Sequence, residues 1–193
     1  MITIVGLGNP GEEYENTRHN AGRENVLSFA KKNGFEFKFD KKANAEAASG
    51  AVGGKKIRLI LPDTYMNKSG SAVAYFIKTK KQAEDLLVIH DDLDLPLGKI
   101  RFVFARGSGG HKGVESIKRA IKTDEFARLR IGISKEARGR AKKPVGEEAV
   151  VKFVLSKITK NEEEKYKKGR KEIAKALQVF AEEGLTKAMT DFN

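Results

Sequence analysis

A chain of 193 residues with no cysteine, 39% hydrophobic and 33% charged, has the makeup of one folded domain and excludes disulfides and thiolate metal centres. Its net charge of +12 suits a polyanionic partner as well as it suits a lysine-rich solvated surface. No apolar run approaches the length of a membrane helix, and the opening Met1-Ile-Thr-Ile-Val-Gly6 is too short and uncharged for a secretory leader, so the expected compartment is the cytoplasm.

Ile2 to Leu7 reads as a short apolar strand, and Gly8-Asn9-Pro10-Gly11 forces a turn after it. Glu24 to Lys32 carries Val26, Leu27, Phe29 and Ala30 at helical spacing, with Gly34 as its stop. Phe35, Phe37 and Phe39 alternate with Glu36 and Lys38, which predicts a strand with one buried face. Ala43 to Val52 and Lys56 to Leu61 form a hairpin around Gly53-Gly54, and Gly70 to Lys78 a helix. Asp85 to His90 is a strand with the apolar run Leu86-Leu87-Val88-Ile89. Ile100 to Phe104 is a strand, Val114 to Ile121 a helix and Ala127 to Ile133 a strand. Residues 134–147 read as a basic loop with Lys135, Arg138, Arg140, Lys142 and Lys143. Asn161 to Glu183 is a long charged helix with Ile173, Leu177, Val179 and Phe180 on its apolar side. Strands and helices alternate without repeats, which predicts an α/β fold, one domain over 1–193, with a mixed β-sheet and helices on both faces.

Gly6-Leu7-Gly8-Asn9-Pro10-Gly11 matches G-x-G-x-x-G after a strand, but the context speaks against a dinucleotide site. Pro10 lacks one of the amides a pyrophosphate would meet, and polar turn residues stand where the helix should begin. The three histidines, His19, His90 and His111, all lie in loop or strand-end stretches, where one of them can serve as a general base. No H-x-x-x-H or H-x-H spacing supports a zinc site. A base of this kind needs an orienting carboxylate, and Asp91, at the end of a buried strand, is the natural one. Residues 91 and 92 point to opposite sides, so only one of the two carboxylates should reach the histidine. Asn9 and Asn67 follow strands in turn-rich stretches, where their amides suit either a cap or a grip on a peptide backbone. No G-x-S-x-G elbow or cysteine offers a covalent route.

Six segments in order and spacing resemble the bacterial-type peptidyl-tRNA hydrolase family. They are Gly6 to Gly11 with Tyr14, Thr17 to Gly22, Thr64 to Gly70, His90 to Pro96, Gly107 to His111, and Arg128 to Ile133. The resemblance runs from residue 1 to about residue 190. It implies a twisted mixed sheet surrounded by helices, a monomer, and no metal or organic cofactor. His19 would activate a water that attacks the ester of peptidyl-tRNA, and Asp91 would hold the His19 ring. Asn9 and Asn67 would hydrogen-bond the peptide, and Tyr14 and Met66 would line the cleft. Gly109, Gly110 and His111 would border the site, Arg130 would match a basic position on the tRNA side, and the partner would be peptidyl-tRNA, met at its acceptor end and 3′ CCA. Lys99, Arg101 and Arg128 are further tRNA-binding candidates.

Two positions depart from the family pattern. Lys112 stands where the family usually has an asparagine of the water and peptide site. Val103 stands where a phosphate-contacting lysine is common, with Lys99, Arg101 and Arg106 nearby. The alternative on the same fold is a non-catalytic RNA-binding relative.

Overall fold

The computed structural model describes residues 1–193. In chain order it runs β1 (Ile2–Gly6), α1 (Ala21–Lys32), β2 (Lys38–Asp40), β3 (Ala45–Val52), β4 (Lys55–Pro62), α2 (Ser69–Phe76), α3 (Lys80–Glu84) and β5 (Leu86–Pro96). It continues with β6 (Ile100–Phe104), α4 (Lys112–Ile121), β7 (Ala127–Ala137), β8 (Arg140–Lys142), α5 (Glu147–Val154), α6 (Glu163–Glu183) and α7 (Leu185–Phe192). The strands form one sheet in the order β2-β3-β4-β1-β5-β7-β6, with β8 paired to β7. The β1–β4, β1–β5 and β5–β7 pairs are parallel and the others antiparallel, so the sheet is mixed as expected.

Alternate residues of β1 and β5 serve opposite faces. Ile4, Leu87 and Ile89 join a core shared with α1, α6 and α7. Val5, Leu86 and Val88 join a second core shared with α2 and α4. A strand covered on both faces needs a continuous apolar run, which is what residues 86–89 supply. Each such side chain contributes roughly 1.5–3 kcal/mol by leaving water, and together they fix where β5 delivers Asp91.

α1 begins at Ala21, ahead of the expected Glu24. Gly22 makes this possible: a Cβ there would stand 2.2 Å from the Ile89 carbonyl oxygen. The helix start therefore lies directly on the end of β1 and on β5 at Ile89, closed by Leu7 N donating to Ile89 O (3.0 Å) and Arg23 N to Leu7 O (2.8 Å). Between Gly11 and α1 the chain makes two 3₁₀ turns, Glu12–Tyr14 and Arg18–Asn20. α1 thus packs against Gly6 and Gly8 but begins only after these two turns, so the helix does not start inside the glycine motif as a dinucleotide fingerprint requires.

The remaining differences have local causes. The expected strand over Phe35 to Phe39 shrinks to β2. Phe35 N bonds back to Ala30 O (2.9 Å) past Gly34, so Phe35 is the buried plug at the end of α1, while Phe39 is half exposed. Residues 134–147 are not a loop throughout. β7 runs on to Ala137 and turns through Arg138 and Gly139, both with positive φ, into β8. Two consecutive left-handed residues are the geometry of a tight hairpin. β5 extends past His90 to Pro96, and α3, α5 and α7 were not expected.

Candidate active site

Asp91 sits on β5 just past the end of β1, still paired with Ile131 of β7, and is 3% exposed. His19 Nδ1 lies 2.9 Å from its Oδ1 and 3.0 Å from its Oδ2. His111 Nε2 lies 2.9 Å from the same Oδ1. The His111 tautomer is fixed from behind. Its Nδ1 caps α4 by accepting from Gly113 N and Val114 N, both at 3.2 Å, so Nε2 carries the proton and donates to Asp91. An ionised carboxylate only accepts, so His19 also donates from Nδ1 and keeps its Nε2 lone pair free.

The charges agree with this geometry. Burial opposes ionisation of Asp91, but the two imidazoles outweigh it and hold its carboxyl far below the usual carboxylate range. Burial likewise disfavours the charged form of His19, yet the charge and hydrogen bond of Asp91 raise its pKa above the ordinary value, against a smaller opposing effect of Lys112. His19, Asp91 and His111 are also the group whose ligand-type atoms lie within 4.8 Å of one another. Both rings aim N–H donors at the carboxylate, so a metal ion there would displace two protons.

The turn carrying His19 is anchored on both sides. Arg18, 2% exposed, donates to Glu162 Oε2 (2.6 Å) and to Ile133 O (3.0 Å). Asn20 is clasped to Asn9 by two bonds of 2.9 Å, from Asn9 N to its Oδ1 and from its Nδ2 to Asn9 O. Asn9 Oδ1 in turn accepts from Met66 N (2.8 Å), which leaves Asn9 Nδ2 as the donor without a protein partner. Asn67 is exposed and its side chain makes no protein hydrogen bond. Tyr14 is half buried with its ring edge-on to the exposed Tyr65, centroids 6.5 Å apart. Met66 is 5% exposed and belongs to the core under α2 and α4 rather than to an open wall.

His19, Asp91 and His111 open into a cleft of about 450 Å³. One wall is polar, from Gly109, Gly110 and Lys112. The other is apolar, from Leu93 and, on α5 and just after it, Val150, Val151, Val154 and Leu155. Lys112 is exposed at the first turn of α4 and reaches Glu147 of α5 at 3.4 Å. Lys143, next to the hairpin, pairs with Asp94 at 2.7 Å.

A second cavity, of about 640 Å³, lies on the far side of Ser108 and Gly109. It is lined by Arg101, Arg106, Arg128 and Arg130. Arg101 stands directly across from Arg130 in the β6–β7 ladder, and Arg130 is bonded to Asp92. Asp91 and Asp92 thus part as expected, one to the imidazoles and one to an arginine. Lys99 is exposed in the β5–β6 turn, away from this lining. Arg128 is not on the surface: it is 3% exposed and donates to His90 Nε2, Gly107 O and Arg106 O.

Comparison with known proteins identifies the family. The peptidyl-tRNA hydrolase family profile matches residues 3–193. The chain belongs to the peptidyl-tRNA hydrolase family. Its relatives include the peptidyl-tRNA hydrolases of Chloroflexus aggregans and Carboxydothermus hydrogenoformans. The first is 42% identical over 195 residues, covering 100% of this chain and 99% of that protein. The second is 43% identical over 194 residues, covering 100% and 98%. The crystal structure of peptidyl-tRNA hydrolase from Acinetobacter baumannii superposes with a TM-score of 0.89 at 37% identity, covering 100% of this chain and 94% of that one.

Within this family frame, several residues escaped the sequence reading. The second hold on Asp91 by His111, the Arg18 anchor and the α5 wall all depend on contacts between distant segments. Only α5 left a local trace, in the apolar spacing of Val150, Val151 and Val154.

Proposed function

We propose that the chain hydrolyses the ester linking the peptide to the 3′ end of tRNA in peptidyl-tRNA, releasing free tRNA and peptide. One observation carries this reading: Asp91 fixes His19 through Nδ1, leaving the Nε2 lone pair of a cleft-lining imidazole free to take a proton. A water gives that proton to Nε2 and its oxygen attacks the ester carbonyl carbon. The tetrahedral intermediate then expels the 3′ oxygen of the tRNA, which takes the proton back from the imidazolium. The products are a peptide acid and a tRNA hydroxyl, and no covalent enzyme intermediate is needed. The ester is already reactive, so base and positioning suffice.

Asn9 Nδ2 and the Asn67 amide supply donors for a peptide carbonyl, a group that a free aminoacyl ester lacks. The acceptor end and 3′ CCA reach the cleft across the arginine-lined cavity, where Arg101 and Arg130 bind phosphate. The same reading has the chain act as a monomer in the cytoplasm without a metal or organic cofactor; no helix is long and apolar enough to cross a membrane.

The test is release of a labelled N-acetylated amino acid from tRNA, with free aminoacyl-tRNA as control. His19→Ala should lower the rate by ~10²–10⁴-fold while tRNA binding changes little. A variant with near-normal turnover removes His19 from the mechanism.

A further inference from the structure

His90 and Arg128 lie behind the site and take no part in the chemistry just described. His90 is fully buried. Its Nε2 accepts from Arg128 Nη1 at 3.1 Å, so its proton is on Nδ1, which donates to the main-chain carbonyl of Asp91 at 2.7 Å. Burial, with the charges of His111 and Arg128, holds its pKa well below the ordinary value, so the ring stays neutral and the tautomer stays fixed. The other end of Arg128 grips the loop that separates the two cavities, with Nη2 on Gly107 O at 2.8 Å and Arg106 O at 3.3 Å. That loop turns through Gly109 and Gly110, both with positive φ, a conformation glycine adopts without strain.

The arrangement is expensive. A guanidinium buried without a carboxylate is costly. Burial and the nearby Arg130 charge lower its pKa to about 10, and the one acidic neighbour that relieves this, Asp92, is bonded to Arg130. An apolar side chain in this place would serve packing alone.

We propose that Arg128 and His90 are positioning residues: a buried strut from the glycine loop to the Asp91 main chain that sets the angle at which Asp91 meets His19. This rests on His19 being the base. It also gives Arg128 a different role from the direct phosphate contact expected from sequence. Because the strut ends on the loop that walls the arginine-lined cavity, it places tRNA-side and ester-side geometry under one restraint.

The test compares His90→Leu with His90→Asn in the full-length protein, using N-acetylaminoacyl-tRNA. The two side chains have similar volume, but Asn keeps an N–H where Nδ1 stood and Leu does not. His90→Leu should lower kcat by about 10- to 100-fold with KM little changed, the cost of misplacing a catalytic group by a fraction of an ångström to one ångström. Asp91 raises the pKa of His19, so a looser Asp91 should also move the acid limb of kcat/KM to lower pH. His90→Asn should recover most of both. Arg128→Lys keeps the charge but cannot grip the imidazole and two carbonyls together, and should shift the pH profile in the same direction.

A rise in KM and a flatter salt dependence in Arg128→Lys, with kcat and pH profile unchanged, overturns the strut and makes Arg128 a phosphate contact. Equal defects in the Leu and Asn variants overturn it as well. A measurement free of folding effects is the nitrogen NMR spectrum of the wild-type imidazoles: His90 should show the neutral Nδ1–H tautomer throughout the active pH range, and either the Nε2–H form or the cation refutes the proposal. Loss of activity in His19→Ala together with unchanged His90 and Arg128 variants rejects the strut alone. Retained activity in His19→Ala rejects the site reading beneath it.

Discussion

The pH behaviour of this chain follows from burial and two charged side chains around one imidazole. Burial disfavours protonated His19, Asp91 outweighs burial, and Lys112 opposes Asp91, so the net pKa is raised. The base works only when neutral, so the acid limb of kcat/KM should lie above the ordinary histidine value. Asp91→Asn removes the raising charge, and should move that limb to lower pH while costing less rate than His19→Ala, because it disturbs orientation without removing the base. Lys112→Asn removes the lowering charge and should move the limb to higher pH. Its exposed pair with Glu147 contributes little stability, so the denaturation midpoint should stay put. Superimposable pH–rate profiles for wild type and Lys112→Asn would mean that the ammonium is too well solvated to act on the ring. At this scale the sequence was most informative: Asp91 stands out by residue type and position, the family resemblance picks His19 from the three histidines, and the two meet at 2.9 Å. It could not assign His111 to the same carboxylate, because that bond spans 20 residues and depends on where α4 starts.

The elements matter for where they stop. α1 lies against β1 and β5 because Gly22 offers no Cβ to the Ile89 carbonyl. Gly22→Ala gains about 1 kcal/mol in helix propensity. Pressing a methyl into backbone costs ~1–3 kcal/mol or more. At 2.2 Å from backbone the upper end of that cost applies, so the variant should lose about 2 kcal/mol in a denaturant titration, and more activity than the unfolded fraction explains, since His19 is on the turn just ahead of α1. A midpoint equal to wild type would show that the joint has slack. The strands with continuous apolar runs and the helices with clear spacing were legible within a few residues. The 134–147 segment was not, because Arg138-Gly139 is a weak turn signal and its many charges look like loop. Phe35 to Phe39 misled for the opposite reason: alternation was present, but the first aromatic was needed at the end of α1.

Across the whole molecule, the +12 charge acquires a direction. Arg101, Arg106 and Arg130 gather around one cavity beside the cleft, and Arg101 and Arg130 oppose each other across two strands. Like charges placed so are destabilising on their own. Asp92 already offsets Arg130, so Arg101 is the charge that a tRNA phosphate would neutralise under the proposed function. Affinity for tRNA should fall linearly with salt on logarithmic axes, and Arg101→Gln with Arg106→Gln should flatten the slope by up to about 2, near 0.9 per lost phosphate contact. Different tRNAs should respond alike, because phosphate contacts position without reading sequence. An unchanged slope in the double variant would assign the charge to solvation.

What the sequence determined by itself was the alternation that makes an α/β sheet, the apolar β5 run that ends on Asp91, and the residue types a water-activating base requires. These are properties of neighbours along the chain: periodicity, turn chemistry and pKa. Only the tertiary structure decided that Asp91 serves two imidazoles, that Arg128 is buried while Arg101 is not, and that α5 walls the cleft. Burial and hydrogen-bond partners are set by segments far apart in sequence, and no local pattern encodes which of two similar arginines the fold will cover.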